Sequence, residues 1–175
     1  MRTSMKRLLL LSFALMASLG LFAQNGTDGD PDLQYATTLL APGTPAPDFT
    51  LNDVDGKPVS IKDFLGKKVV LVFWASWCPD CREEIPLLKK MQAKVSPEKV
   101  AFVSVSFDRK EQIWKDFVRE NQLGGVQLFD AAGKKDSTVG TDYGVKWIPA
   151  LYLIDEKGKV QLGTVVAQKV ADALN

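Results

Sequence analysis

The fold is decided by residues 69–81, which read Val69-Val70-Leu71-Val72-Phe73-Trp74-Ala75-Ser76-Trp77-Cys78-Pro79-Asp80-Cys81. The first six residues are β-branched, aliphatic or aromatic, a pattern typical of a central strand that is covered on both faces. Cys78 and Cys81 are the only cysteines in the chain, and they stand at the head of a helical pattern. A disulfide between them would close a loop of four residues, which the chain-entropy formula credits with only about 1.9 kcal/mol of stabilisation. The pair therefore indicates redox chemistry rather than a structural cross-link.

The position of the cysteines at a helix start predicts how they would react. With Cys78 as the N-cap, Pro79 falls at the first helical position, where its missing N–H group costs nothing. Free backbone N–H groups and the positive helix end then stabilise the Cys78 thiolate, which makes Cys78 the attacking thiol. Cys81 lies one turn later and is placed to resolve a mixed disulfide. Asp80 opposes the thiolate by charge repulsion, so Pro79 and Asp80 are predicted to tune the redox chemistry.

Outside this stretch, the sequence alternates between predicted strands and helices. Strands are predicted where β-branched and apolar residues alternate or run together, and helices where apolar residues recur every three to four positions. The predicted elements are a hairpin of residues 46–51 and 58–61 with an Asp-Gly turn, a strand over 69–74, a helix over 79–95, a strand over 100–107, a helix over 111–121, a strand over 126–129, a hairpin of 150–154 and 160–162, and a helix over 166–174. This order predicts an α/β fold with a mixed central sheet flanked by helices and an N-terminal β-hairpin extension.

Some residues support more local predictions. Pro86 lies inside the helix over 79–95, where it removes one backbone hydrogen bond and predicts a kink. The polar residues 133–137 are predicted to form a turn. The apolar side of the helix over 111–121 is predicted to consist of Ile113, Trp114, Phe117 and Val118.

Residues 1–23 have the pattern of a secretory signal peptide. Arg2, Lys6 and Arg7 precede an apolar run that begins at Leu8, as is typical of exported proteins. The alternative is an uncleaved N-terminal membrane anchor, although the run is shorter than the ~20 apolar residues that a spanning helix needs. Either alternative exports the domain, and we expect a periplasmic protein.

The remainder of the chain is expected to consist of a flexible leader at residues 24–40 and one folded domain at residues 41–175. The leader is predicted from its early Gly, Asp and Asn residues. Without residues 1–23, the chain has 19 basic and 21 acidic residues, a net charge near −2. This balance gives no reason to expect nucleic acid as a partner.

The composition also excludes several kinds of catalytic site. The chain has no histidine, which excludes histidine-based acid–base catalysis and histidine triads. Two cysteines supply at most two of the four ligands of a structural zinc site, so we expect no metal. Dithiol exchange needs no further group, and no cofactor is expected.

The cysteine segment resembles the active site of the thioredoxin superfamily. This resemblance is carried by Phe73-Trp74-Ala75-Ser76-Trp77-Cys78-Pro79-Asp80-Cys81. Three further segments resemble the exported TlpA/ResA-like branch, namely Ala46-Pro47-Asp48-Phe49, Cys81-Arg82-Glu83-Glu84-Ile85-Pro86 and Tyr143-Gly144-Val145. The similarity covers residues 41–174. It implies a thioredoxin fold and a reducing role, with Cys78 as the nucleophile and Cys81 as the resolving thiol.

The resemblance also implies roles for four further residues. Glu84 is similar to a family glutamate near the buried thiol, proposed as its proton acceptor, although its helix position alone equally fits a solvated acid. Pro149 resembles the family's cis-proline, and the preceding Ile148 offers backbone groups to a bound peptide. Trp77 resembles the exposed tryptophan beside the nucleophile, whereas Trp74 is expected in the core.

The sequence departs from the family pattern at several positions. Pro79 and Asp80 stand where thioredoxin has Gly-Pro and where this branch often has Glu-Pro, so the reduction potential does not transfer. Val72 occupies the position of thioredoxin's buried aspartate. Trp147 and Ala150 stand where Gly and Thr are commoner around the cis-proline, which leaves the substrate preference open.

The leading hypothesis is an exported thiol:disulfide oxidoreductase that reduces protein disulfides. Its partners would be exported proteins with disulfides, apocytochrome c among the candidates, and a membrane thiol reductant as electron donor. One alternative is a disulfide oxidase or isomerase that uses the same cysteines, and another is a binding domain with a structural disulfide. A peroxidase is disfavoured, because Leu71 and Ala75 occupy the Pro and Thr positions of the peroxiredoxin-like pattern.

Overall fold

A mixed sheet of seven strands runs through the computed structural model, which describes residues 29–174. The strands are β1 (Thr50–Asp53), β2 (Pro58–Ser60), β3 (Lys68–Trp74), β4 (Val100–Ser106), β5 (Val126–Phe129), β6 (Ala150–Ile154) and β7 (Val160–Thr164). They lie in the order β2-β1-β5-β4-β3-β6-β7. β3 pairs with β4 in parallel and with β6 in antiparallel orientation. The predicted mixed sheet and both predicted hairpins are confirmed.

Helices connect and cover these strands. The helices of the described residues are α1 (Pro31–Tyr35), α2 (Pro79–Lys94), α3 (Glu111–Glu120), α4 (Gly133–Asp136), α5 (Thr138–Asp142) and α6 (Ala167–Leu174), with a 3₁₀ turn at Ile61–Phe64. From Pro31 onward, the described residues form one compact unit. Between residues 29 and 174, no helix is both long and apolar enough to span a membrane.

The burial of β3 determines where the cysteine segment lies. Every side chain from Val69 to Trp74 is buried, and burial of one large aliphatic side chain contributes about 1.5–3 kcal/mol. Strands on both sides and helices on both faces therefore hold β3 in place. Because β3 ends at Trp74 and α2 begins at Pro79, residues 75–78 form a short loop at the edge of the sheet.

The turn predicted at residues 133–137 is wrong. The segment instead contains α4 and leads directly into α5. Ser137 is the N-cap of α5, and its hydroxyl accepts a hydrogen bond from the N–H group of Gly140 at 2.6 Å. A serine cap of this kind stabilises a helix start, so the polar composition marks helix ends rather than a turn.

The apolar side of α3 is narrower than predicted. Trp114 and Val118 are buried, and the ring of Trp114 stacks on Phe129 with 5.3 Å between centroids. Ile113, however, is 52% exposed, because it lies next to Trp114 along the helix and points away from this contact. Pro86 lies within α2, and the predicted kink at this residue stays a prediction.

The N-terminal segment packs on the domain earlier than expected. Asp32 on α1 accepts hydrogen bonds from the N–H group of Val165 at 2.8 Å and from the hydroxyl of Thr164, and it pairs with Lys169 at 2.6 Å. Residues 31–40, which the sequence analysis assigns to the flexible leader, therefore include a helix that contacts the domain, and the boundary at residue 41 stays a prediction. The predicted signal peptide and the first leader residues lie outside the described residues.

Further contacts hold the chain between α1 and β1. The hydroxyl of Thr38 donates to the carbonyl of Gly144 at 2.7 Å, and the N–H group of Leu40 donates to the phenol oxygen of Tyr152 at 2.9 Å. The Tyr152 hydroxyl in turn donates to the carbonyl of Tyr143. Burial raises the pKa of Tyr152 to about 12, so this phenol remains protonated and able to donate.

Replacement of Gly144 tests this packing. Gly144 has φ +65°, and a Cβ atom there would lie 1.9 Å from the carbonyl oxygen of Thr38. Gly56 has φ +80° with open space around it, so Gly56→Ala is a control for backbone strain alone. We expect Gly56→Ala to lower the free energy of unfolding by about 1 kcal/mol and Gly144→Ala by about 3 kcal/mol or more. Equal losses in urea titrations would contradict the close approach of Thr38.

Candidate active site at the Cys78–Cys81 pair

The two cysteines form a disulfide at the start of α2. Their Cα atoms are 5.3 Å apart, and both side chains are buried. Cys78 is the N-cap of the helix and Pro79 occupies its first turn, as the sequence predicts. The sulfur of Cys78 accepts a hydrogen bond from the N–H group of Cys81 at 3.2 Å. Once the pair is reduced, the same N–H group and the positive end of α2 can stabilise a thiolate on Cys78.

The loop before β6 lies against the outer cysteine. The peptide bond between Ile148 and Pro149 is cis, and the carbonyl oxygen of Ile148 lies 3.6 Å from the sulfur of Cys78. Trp77, which directly precedes Cys78, is 55% exposed, whereas Trp74 is buried as expected. The structure thus brings the Ile148–Pro149 peptide to the disulfide, and Trp77 is the exposed neighbour of Cys78 in the chain.

Glu84 lies one turn after Cys81 on α2 and is half-buried. Its carboxylate accepts a long hydrogen bond of 3.4 Å from the N–H group of Ala167, at the start of α6. Glu84 and Cys81 both line a small cavity of about 40 Å³ between α2 and the sheet. A carboxylate on this cavity can exchange a proton with the inner thiol through water, since one water molecule needs roughly 10–15 Å³.

The floor of this cavity contains polar residues that the sequence analysis does not identify. Val72 lies beside Ser104 of β4, and Ser104 lies beside Gln127 of β5. The side-chain oxygen of Gln127 and the indole N–H group of Trp74 are buried without a protein hydrogen-bond partner among the described residues. The polar groups that line this cavity therefore come from Ser104 and Gln127 on the neighbouring strands and from the indole of Trp74 at the end of β3, whereas Val72 of β3 is apolar.

A buried carboxylate holds the loop that precedes Cys78. Asp108 follows β4 and accepts hydrogen bonds from the Ser76 N–H group at 3.0 Å and the Ser76 hydroxyl at 2.7 Å. It also accepts a hydrogen bond of 2.7 Å from the hydroxyl of Ser106. All three residues are buried, and hydrogen bonds to a charged acceptor are the stronger kind. Asp108 therefore fixes the backbone two residues before Cys78.

Sequence reasoning missed Asp108 although a signal was present. Asp108 comes shortly after the end of β4, and Ser76 comes shortly after the end of β3, which is the parallel neighbour of β4. The carboxyl ends of adjacent parallel strands lie at the same edge of a sheet, so polar residues that follow them meet there. An acid directly after a buried run is the feature that identifies such a contact.

The rim of the site includes a residue from the N-terminal segment. Trp147 is 40% exposed and stacks on Tyr35 of α1, with 4.4 Å between ring centroids and 27° between ring planes. Trp147 is one of the departures from the family pattern. The structure shows that its ring is held by α1, a contact that the sequence pattern does not reveal.

Comparisons with known proteins agree with this geometry. A family model described as the AhpC/TSA family matches residues 42–162. The thioredoxin-like protein YneN of Bacillus subtilis is 35% identical over 139 residues, which covers 76% of this chain and 78% of that protein. The thiol-disulfide oxidoreductase ResA of Bacillus thuringiensis subsp. konkukian is 35% identical over 118 residues, covering 67% and 66%, respectively.

A solved structure extends the agreement to the fold. The thioredoxin domain of a thiol-disulfide oxidoreductase from Bacteroides vulgatus matches with a TM-score of 0.70 and 31% identity, covering 77% of this chain and 96% of that chain. The thioredoxin fold and the TlpA/ResA-like resemblance inferred from the sequence are thereby confirmed.

Removal of the Asp108 carboxylate should destabilise the protein. In Asp108→Ala, the N–H group and hydroxyl of Ser76 and the hydroxyl of Ser106 lose a buried, charged acceptor. We expect the free energy of unfolding to fall by about 2–4 kcal/mol in urea titrations. Asp142→Ala removes an exposed acid and is the control, with a change within about 0.5 kcal/mol. Similar small losses in both variants would show that the Asp108 contacts do not stabilise the loop.

Proposed function

We propose that this chain, which belongs to the AhpC/TSA family and is a thiol:disulfide oxidoreductase, reduces the disulfides of exported proteins through Cys78 and Cys81. The observation that carries the proposal is the position of the disulfide at the start of α2, where the Cys78 sulfur already contacts a helix N–H group. Such a position stabilises the thiolate and so favours a pair that is repeatedly opened and closed.

The proposed reaction is a two-step exchange that begins with the reduced dithiol. The Cys78 thiolate attacks one sulfur of a substrate disulfide, which forms a mixed disulfide and expels the other substrate sulfur as a thiolate that takes up a proton. Cys81 then loses its proton and attacks the Cys78 sulfur, which releases the second substrate thiol. Two electrons pass to the substrate, and the Cys78–Cys81 disulfide seen in the structure remains.

The surrounding residues support distinct parts of this exchange. Glu84 is the proposed acceptor for the Cys81 proton, because both residues line the same cavity. Asp80 places a negative charge next to the Cys78 thiolate and therefore opposes its formation. Trp77 and the backbone of Ile148 are the proposed contacts for the polypeptide that carries the substrate disulfide.

The export of the protein, the direction of electron transfer and the partners are parts of the same proposal. Export is supported by the basic and then apolar pattern of residues 1–23, and a periplasmic location would supply oxidised substrates. A membrane thiol reductant would restore the dithiol, since each turnover consumes two electrons. Disulfide-bonded exported proteins are the substrate class, and apocytochrome c is one candidate within it.

Separate substitution of the two cysteines tests the mechanism. In an insulin reduction assay, Cys78→Ser should abolish activity, because the thiolate that attacks the substrate disulfide is removed. Cys81→Ser should also lose turnover but should accumulate a mixed disulfide with insulin through Cys78, visible on non-reducing gels and released by dithiothreitol. If Cys78→Ser retains the wild-type rate, the pair is a structural disulfide and the proposal fails. If Cys78→Ser traps substrate and Cys81→Ser does not, the two roles are reversed.

A further inference from the structure

A groove of about 520 Å³ runs beside the disulfide, within the size range of ligand sites in proteins. Tyr35 and Trp147 form an aromatic wall of this groove, the first turns of α2 form a second wall, and Pro149 also lines it. With Val165 and Val166, which also line it, the groove is built from four separate segments of the chain. The α1 residues that line it belong neither to the cysteine segment nor to the cis-proline loop.

The aromatic wall is held in place by contacts far from the cysteines. Asp32 anchors α1 to Val165 and Lys169, and this anchoring sets the Tyr35 ring against Trp147. Leu33 on the same helix is 79% exposed and does not line the groove. Of the two α1 residues that line the groove, Pro31 and Tyr35, Tyr35 supplies the aromatic ring through which the N-terminal segment can affect a bound polypeptide.

The wall formed by α2 is negatively charged. Asp80, Glu83 and Glu84 line the groove, and no lysine or arginine among the described residues does. Asp80 and Glu83 are exposed, and within residues 29–174 neither forms a salt bridge. Glu84 accepts the N–H group of Ala167 and is half-buried. The free carboxylates on this wall would be complemented by cationic side chains of an occupant.

The groove is continuous with the place where the substrate sulfur must bind. Asp80 lies between the two cysteines in sequence, and Pro149 follows Ile148, whose carbonyl oxygen is 3.6 Å from the Cys78 sulfur. A polypeptide disulfide-bonded to Cys78 has residues on each side of its cysteine, each of which spans about 3.3–3.6 Å when extended. The substrate residues on either side of the substrate cysteine therefore reach the groove.

We propose that this groove binds an extended substrate segment that carries lysine or arginine beside the reactive cystine, with Tyr35 and Trp147 packing against its side-chain stem. This inference rests on the proposed function, because it assigns a substrate class to the same disulfide. Tyr35 and Glu83 are then residues that determine specificity, and neither takes part in the exchange of electrons.

Two matched peptides test the charge preference. Each contains the same intramolecular cystine, flanked by two lysines in one peptide and by two glutamates in the other, and steady-state reduction by the full chain gives kcat and KM for both. We expect a KM about three- to tenfold lower for the lysine peptide, with kcat values within about twofold. The difference should shrink when salt is added. Equal KM values with measurable turnover would overturn this inference, whereas no reduction of either peptide would overturn the proposed function.

Substitutions locate the preference in the groove. Glu83→Gln should reduce the KM ratio between the two peptides. Glu98→Gln removes the same charge from the turn before β4, at the opposite edge of the sheet from Cys78, and should leave the ratio unchanged. Equal effects of Glu83→Gln and Glu98→Gln would show that net charge alone sets the preference and would overturn the inference.

The aromatic wall has its own controls. Tyr35→Ala should raise KM for the lysine peptide by about two- to tenfold. Tyr35→Phe should keep the wild-type KM because the aromatic ring remains. Leu33→Ala on the same helix should leave the KM for the lysine peptide unchanged. Circular dichroism on each variant checks that the fold is intact. A folded Tyr35→Ala variant with the wild-type KM would show that α1 does not contribute to the groove.

Discussion

The start of α2 at the end of the buried strand β3 is the constraint on which the rest of the site depends. The strand is paired with β4 on one side and β6 on the other. The short loop after Trp74 therefore fixes the position of Cys78. In the helix that begins there, the N–H group of Cys81 donates to the Cys78 sulfur, and a helix N-terminus stabilises an anion. A bond that closes only a short loop adds little stability. The same bond can therefore be opened without unfolding the protein.

Contacts from distant parts of the chain complete the site around this constraint. Asp108 holds the loop before Cys78 from β4, Ile148 approaches the sulfur from the loop before β6, and α1 reaches the rim through Tyr35. The inner cysteine faces a different environment, a small cavity with Glu84 on its border. The two sulfurs are thus chemically distinct, one beside a helix end and the carbonyl of Ile148, the other on a cavity that Glu84 also lines and that can hold water.

Most of the fold follows from local sequence patterns, whereas much of the site does not. The buried run of β3 and the cysteine spacing are contiguous in sequence, so both are readable from it. Asp108 meets Ser76 across 32 positions and Asp32 meets Thr164 across 132 positions. Such pairs depend on which strands become neighbours, and periodicity does not report this. For the same reason the N-terminal segment has the composition of a leader but packs as part of the domain. The cis-proline loop was identified only through family resemblance, since few X–Pro bonds are cis.

The central claim is that the Cys78–Cys81 pair donates electrons to other disulfides, and its reduction potential is the direct measure of that tendency. The purified chain is equilibrated in dithiothreitol or glutathione buffers of known potential, free thiols are alkylated, and the fraction of disulfide is read by mass. The account predicts a midpoint toward the strongly reducing value of about −270 mV. A midpoint close to that of the strong oxidants, about −120 mV, would contradict it and would make the protein an oxidase on the same fold.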